Sequence, residues 1–295
     1  TFPAANCHRP SKMSAPRRVV TEKNWASSCY HYFLRLESGT WVVAQTSKTL
    51  AFCFERTGYV YAMMCIIFPL EKYSEFSILQ NSFHFHWCYK YGSTMKTDLR
   101  YTPSDIFVTF PFPQNLTANI ESELEQIGLT YYEKRRRLMH KMQLGLTKTY
   151  NQFHNKKLQA INSDLPEKEI GKEYGRETLN LWKHLKRTEN TCSFNEAVEN
   201  IFELRRLHKQ MDETVLKAYD WQDIDLAHDF YEVDYLPEND RVRYTISPDA
   251  IKEVLKRLLK LNHEIHEQEV KTGLHAKGKT KKKQKANATE QMKLF

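Results

Sequence analysis

Residues Phe76–Pro113 read FSILQNSFHFHWCYKYGSTMKTDLRYTPSDIFVTFPFP, and the spacing of their apolar residues changes twice along the way. Phe76, Leu79, Phe83, Trp87 and Tyr91 recur at helical spacing with Glu75, Gln80 and His84 between them. That predicts one amphipathic helix of about five turns, ended by Gly92. After a polar bend, Ile106, Val108, Phe110 and Phe112 alternate as in a strand. Pro111 and Pro113 keep that strand away from the centre of a sheet, because proline cannot donate to a ladder. Upstream, Trp41–Thr46, Thr49–Phe54 and Tyr59–Phe68 are rich in Val, Ile, Phe and Tyr, with Arg56-Thr57-Gly58 as a turn. The longest apolar run, Val60–Leu70, has 11 residues, too few for a membrane helix of about 20, and reads as a core strand. Residues 1–115 therefore read as α+β, a mixed β-sheet with a packed helix.

From Asn115 the pattern turns helical, giving a mainly α-helical domain over 116–274. Glu121–Ile127, Tyr131–Leu144 and Thr147–His154 read as short helices, followed by a polar linker from Lys156 to about Glu177. Ser193 with Glu196 forms a capping box before a long helix whose Ile201, Leu204, His208, Met211, Val215 and Ala218 keep 3–4 spacing. A strand pair is expected over Phe230–Tyr235 and Arg241–Ile246. Ser247-Pro248 then opens a last helix carrying Ile251, Val254, Leu258, Leu261 and Ile265. The two long helices are expected to pack together.

The 295 residues carry 44 Lys+Arg and 36 Asp+Glu, a net +8, but the charge is uneven. Ala276–Phe295 holds seven Lys and one Glu, a local +6 that leaves about +2 on the rest. This tail, 275–295, reads as a disordered basic arm, since it has almost nothing apolar to offset its ordering entropy. Hydrophobic residues at 41% and charged residues at 27% exclude a disordered chain and a membrane bundle. The six cysteines (Cys7, Cys29, Cys53, Cys65, Cys88, Cys192) form no CxxC pair and read as reduced thiols of a cytoplasmic protein. Thr1–Arg18 has no apolar segment of a signal peptide, and the first Met is Met13, which suggests a piece of something longer.

Catalytic signatures are not found: no GxGxxG, no GxxxxGK[ST], no GxSxG, and no Asn-Pro-Pro-aromatic strand end. His263 and His266 in HEIHE are three apart, whereas a zincin needs four, so a solvated helix face is the expectation. His84 and His86 are two apart on a helix and point to different faces. The acidic stretch Asp220–Asp240 matches no calcium loop and reads as a connector able to complement Arg or Lys elsewhere. Lys134-Arg135-Arg136-Arg137 fans around a helix, so only part of it can meet one partner. No catalytic residue and no metal ligand is assigned.

The polar bend is the candidate site. Ser93, Lys96, Thr97, Arg100, Tyr101 and Thr102 combine positive charge with hydroxyl donors within a dozen residues. Lys and hydroxyl groups suit phosphates, and a bidentate Arg suits a guanine edge, so double-stranded DNA is the expected partner. The competing reading is a surface loop with Arg100 paired to Asp98 or Asp105.

The runs SKTLAFCFERTGYVYAMMCIIF (47–68) and FSILQNSFHFHWCYKYGSTMKTDLRYTPSDIFVTFPFP (76–113) resemble the target-recognition region of type II restriction–modification enzymes, type IIG or IIL. These are adenine-specific DNA methyltransferases, often with a fused nuclease, that have a TaqI-like specificity domain. LGLTKTYNQFHN (144–155), ELRRLHKQMDETVLKAYDW (203–221) and residues 225–264 are similar to the same family's C-terminal region. TDLRYTPSDI and LPENDRVRYTIS are the most specific strings. The resemblance implies DNA recognition by this chain. An upstream S-adenosylmethionine-binding domain would methylate adenine after base extrusion. This chain carries neither the cofactor-binding nor the catalytic motif, so the implied role is recognition, without a cofactor of its own. A separate catalytic methyltransferase or nuclease part is the implied companion. A split subunit active only with such a chain, or a structural or protein-interaction module, are the alternatives.

Overall fold

A computed structural model describes residues 39–273 except 57, 97, 163–164, 189–191 and 237. The expected α+β class holds, but among the described residues the strands form small antiparallel sheets instead of one mixed sheet. β1 (Thr40–Ala44) lies between β3 (Cys53–Glu55) and β4 (Cys65–Phe68), with Val42 opposite both Cys53 and Ile67. Its Thr40–Val43 are buried. A second sheet places β6 (Asp98–Arg100) between β2 (Thr46–Ser47) and β5 (Ser93–Met95). Gln45 joins the two sheets: its N–H donates to the Met64 carbonyl at 2.7 Å, and its own carbonyl accepts the Tyr101 N–H at 2.7 Å.

The expected five-turn helix is two helices, α1 (Tyr73–Gln80) and α2 (Ser82–Tyr91). Asn81 between them has extended backbone, and its side-chain oxygen caps α2 by accepting the His84 N–H at 2.9 Å. An asparagine is well suited to such a restart, since capping replaces the helical bond that the bend removes. Gln80 and His84, expected on a wet face, are buried with Phe76, Leu79, Phe83 and Trp87. Val60–Leu70 is likewise shorter in strand than expected. Only Cys65–Phe68 pairs, while Val60 and Met63 are exposed.

The alternating segment 106–112 is no strand. Ile106 N–H donates to the Thr102 carbonyl and Phe110 N–H to that of Ile106, both at 2.9 Å, so the chain winds through helical turns. Ile106, Phe107 and Phe110 make its buried stripe, with the i, i+1, i+4 spacing of a turn.

The first two of the three short helices expected after Asn115 are one, α3 (Ala118–Met142), passing through Gly128 without a break. It packs on α1, and a Cβ at Gly128 would sit 2.3 Å from the Tyr73 carbonyl oxygen. α4 (Leu146–Phe153) falls where expected. The linker is not structureless: it holds α5 (Glu167–Glu173) and enters α6 (Gly175–Arg187). Ile161, Ile170 and Trp182 form a small core there, separate from the main one.

α7 (Phe194–Ala218) starts at Ser193, whose hydroxyl accepts the Glu196 N–H at 3.1 Å. β7 (Asp229–Glu232) and β8 (Val242–Thr245) form the expected hairpin, and α8 (Pro248–Lys271) is capped by Ser247. The long helices α7 and α8 do not make the expected pair. α7 packs on α3, and α8 lies against α2. Asn262 of α8 donates to the Thr109 carbonyl at 2.6 Å, and the Thr109 hydroxyl accepts the Trp87 indole N–H at 3.2 Å, which fastens α8 to α2 through the turns.

One hydrophobic cluster runs from Trp41 to Leu258, across the expected boundary at 115. No described helix is long and apolar enough to cross a membrane. The basic tail, Cys7 and Cys29 lie outside the described residues; Cys53, Cys65, Cys88 and Cys192 are free thiols.

Candidate nucleic-acid interface

The polar bend is a β-hairpin, β5 turning into β6 through Lys96. Alternation divides it into two faces. Leu99 is buried beneath the sheet and Thr94 half-buried, whereas Ser93, Met95 and Arg100 are exposed on the other face, with Ser93 directly opposite Arg100. Lys96 stands at the tip with φ 55°, in the left-handed region that a tight hairpin turn demands and that glycine or asparagine fills at less cost. Lys96 and Arg100 are exposed and take no part in an ion pair among the described residues, so the expected alternative of Arg100 bound to Asp98 or Asp105 does not occur. Asp98, half-buried, is the one carboxylate on this hairpin.

The rest of the expected set divides. Thr102 is half-buried where the turns begin, its carbonyl receiving Asp105 and Ile106 N–H groups. Thr97 lies outside the described residues. Tyr101 is a correction as a surface contact: it is buried, packed edge-on to Phe68 with ring centroids 5.6 Å apart. Its residue continues β6 beyond Arg100, where alternation turns the side chain inward.

What Tyr101 does is hold the hairpin to α2. Its hydroxyl lies 3.2 Å from His84 Nε2. His84 Nδ1 sits 2.7 Å from the Leu79 carbonyl, which can only accept, so Nδ1 carries the proton and Nε2 accepts from Tyr101. Burial pushes His84 down to about 4, which keeps this wiring neutral at physiological pH. Gly92 makes the junction from α2 to β5. A Cβ there would lie 2.4 Å from the Cys88 carbonyl and 2.7 Å from Ile106, so only glycine lets the strand leave the helix this closely.

His86, on the same helix, contacts the Tyr235 hydroxyl through Nδ1 and the Thr245 hydroxyl through Nε2 at 3.0 Å; burial pushes it down to about 3. At the amino end of α2, Asp212 of α7 accepts from the Ser82 N–H, the Ser82 hydroxyl and His228 Nε2. Ser82, Asp212 and His208 are the residue types of a hydrolytic triad: the serine hydroxyl lies 3.2 Å from His208 Nε2, but it also binds the carboxylate directly at 2.6 Å, and all three residues are buried. In a hydrolytic triad the imidazole stands between the two, whereas here the direct bond ties α2 to α7.

Sequence reasoning missed Arg135. Within the Lys134–Arg137 run it alone turns inward, donating to Gln80 Oε1 at 3.1 Å, the Tyr150 hydroxyl at 3.2 Å and the Phe52 carbonyl, beneath the rings of Phe76, Tyr131 and Tyr132. Arg136 and Arg137 pair with Glu133 on the surface. A helical wheel through Leu124, Gly128, Tyr131, Arg135, Leu138 and Met142 would have found it. The acidic connector does complement cations elsewhere: Asp223 holds Arg257, and Asp240 holds Lys48 and Arg243. His263 is exposed and His266 half-buried, and no group of three or more His, Cys, Asp or Glu among the described residues could hold a metal ion.

No family model matches the sequence, and no curated protein does. Among solved structures, 78% of this chain aligns with 22% of a Type IIL restriction-modification enzyme, MmeI, in complex with DNA, at 11% identity and a TM-score of 0.45. The chain thus spans about a fifth of that protein's length, and a likeness at this level bears on neither activity nor site residues.

Proposed function

We propose that the chain reads duplex DNA through the β5–β6 hairpin, as the recognition part of a restriction–modification adenine methyltransferase. The observation that carries this reading is the hairpin's outward face: Arg100 and Lys96 are exposed, free of ion pairs among the described residues, and mounted on a buried support. Exposed cations without internal partners are available for phosphates and base edges, and a fixed strand holds a guanidinium in the orientation that bidentate recognition requires. Lys96 at the tip is assigned to a backbone phosphate and Arg100 to a base edge. Ser93 and Thr102 supply hydroxyl donors on either side, and a hydroxyl contact from Thr97 belongs to the proposal. The adenine-methylating role rests on the sequence resemblance alone.

The proposal places S-adenosylmethionine on a separate catalytic part; the described strands pair antiparallel, and none runs through a Gly-rich turn into a helix. No step of methyl transfer is assigned to this chain; in the proposed assembly it falls to a separate catalytic part.

The test is selection from a randomised duplex pool by the full chain and by a chain ending at residue 274, because the Lys tail alone attracts polyanions. Enrichment of one sequence family by both supports readout. A flat profile from both overturns it.

A further inference from the structure

Tyr59–Met64, the loop between β3 and β4, is the most apolar exposed feature of the described chain. Of nine exposed large hydrophobic residues, Tyr59, Val60, Met63 and Met64 lie within these six positions, and a fifth, Met95, is on β5. Val60 and Met63 project almost wholly into solvent. A loop that merely connects two strands would place polar residues there.

The loop also has a fixed shape. The Tyr61 hydroxyl donates to the Arg56 carbonyl at 2.9 Å, the Cys65 N–H closes a turn on the Ala62 carbonyl at 2.9 Å, and Met64 is tied to Gln45. Gln45 places the loop beside the hairpin. Met64 lies on one side of it and Tyr101, the neighbour of Arg100, on the other. Glu55 lies opposite Thr40 at the amino end of β1 and Cys65 opposite Ala44 at its carboxyl end, so the connection crosses β1 from end to end, and only its last residues, up to Met64, reach the carboxyl end. Because β6 runs antiparallel to β2, the Lys96 turn lies beyond the carboxyl end of β2, and the last part of the apolar loop therefore approaches the side of the hairpin. Lys96 and Arg100 are the exposed cations of that hairpin, with Asp98 as its carboxylate.

We propose that Val60 and Met63 form a wedge that enters a base step of the duplex gripped by the hairpin. This rests on the DNA reading above. A protruding apolar segment beside the cations of the hairpin suits unstacking of base pairs, since the step takes up the apolar side chains while the neighbouring phosphates meet the charges. A pre-shaped loop loses little conformational freedom on entering. A protein surface is the other possible occupant, but a protruding segment beside arginine and lysine is matched better by a polyanion than by an apolar groove.

The test compares the full chain with its V60S/M63Q variant on the enriched duplex, with thymine moved through successive positions. Permanganate oxidation reads each unstacked thymine. Both residues are exposed, so the variant is expected to melt with the wild type. The expected result is a reactive thymine at one step with the wild type, and reactivity lower by on the order of tenfold with the variant at saturating protein. Wild-type binding without a reactive thymine overturns the wedge and leaves the DNA reading standing. Failure of the wild type to bind any duplex overturns both. Unchanged reactivity in the variant, together with a smaller sedimentation coefficient for the DNA-free protein, assigns the loop to a second copy of the chain and also overturns the wedge.

Discussion

Asp212 on α7 closes the amino end of α2, accepting both the Ser82 N–H at 2.9 Å and the Ser82 hydroxyl at 2.6 Å. A carboxylate there complements the positive end of the helix as well as its unpaired N–H. Burial by itself would raise this carboxyl; His208, His228 and the Ser82 hydroxyl outweigh burial and hold it below the usual carboxylate value. Asp212→Asn turns one acceptor into a donor facing the Ser82 hydroxyl and His228. The variant should lose about 2–4 kcal/mol in urea unfolding. A loss under about 1 kcal/mol would show that α2 does not depend on this cap.

Acid should destabilise the fold as pH falls below about 6.5. His84 and His86 are held neutral by burial at about 4 and about 3, below the ordinary 6.5. Between those values the unfolded chain binds more protons than the folded one, so stability rises with pH. The contribution is whole above about 6.5 and is lost as pH falls toward 4 and then 3, by up to about 1.4 kcal/mol per pH unit for each imidazole. Urea midpoints at pH 7, 6 and 5 measure the slope. Equal midpoints at pH 7 and 5 would mean that the two rings are not buried neutral.

Among the described residues, Arg135 is a buried cation with no carboxylate against it. Its guanidinium serves Gln80 Oε1, the Tyr150 hydroxyl and the Phe52 carbonyl, tying α3 to α1, α4 and the strand region at once. Arg135→Met keeps the apolar stem and removes the donors, leaving the Phe52 carbonyl without that partner. The expected cost is about 2–4 kcal/mol, larger than for Arg136→Met, which gives up only an exposed pair with Glu133. Equal costs for the two variants would refute the role given to Arg135.

Gly128→Ala sets two effects against each other. Helix propensity favours alanine by about 1 kcal/mol. The crossing with α1 opposes it, because the new Cβ would lie 2.3 Å from the Tyr73 carbonyl oxygen and 2.5 Å from the Ser77 hydroxyl. Neither is the end of a long flexible side chain, so α1 must move, and a net loss of about 1–3 kcal/mol is expected. A higher melting temperature for the alanine variant would show that the two helices are not in contact here.

These residues also mark what could be read without coordinates. The caps at Ser193 and Ser247, the β7–β8 pair and the 3–4 spacing along α7 and α8 depend on neighbours in sequence, and each element falls where it was expected. Which helix meets which does not follow from an apolar stripe alone: α7 found α3, and α8 found α2. The break expected between Ile127 and Tyr131 falls inside one helix, where the missing side chain of Gly128 is what the neighbouring helix needs. The alternation at 106–112 misled for a related reason, since a short winding turn can place aromatic residues two apart by chance. At the site, the exposed Lys96 and Arg100 were legible as a polar bend. Tyr101 was not separable from them, because strand alternation fixes its direction only once the pairing of β6 is known.

Lys96 and Arg100 should separate by their response to sequence and salt. On the enriched duplex, Arg100→Ala should cost about 1–3 kcal/mol, with little loss on a scrambled duplex, because a bidentate base contact is lost only where the base is present. Lys96→Gly should weaken both duplexes alike and lower the slope of log affinity against log salt by about one, as expected of one phosphate contact. The glycine variant carries its own control. Lys96 occupies φ 55°, so glycine relieves the turn and should raise the stability of the free protein by about 1 kcal/mol while affinity falls. Weaker binding by a more stable protein cannot come from unfolding. If Arg100→Ala weakens both duplexes equally, Arg100 touches phosphate and another residue reads the bases; if neither substitution changes affinity, the hairpin is not the DNA-binding surface.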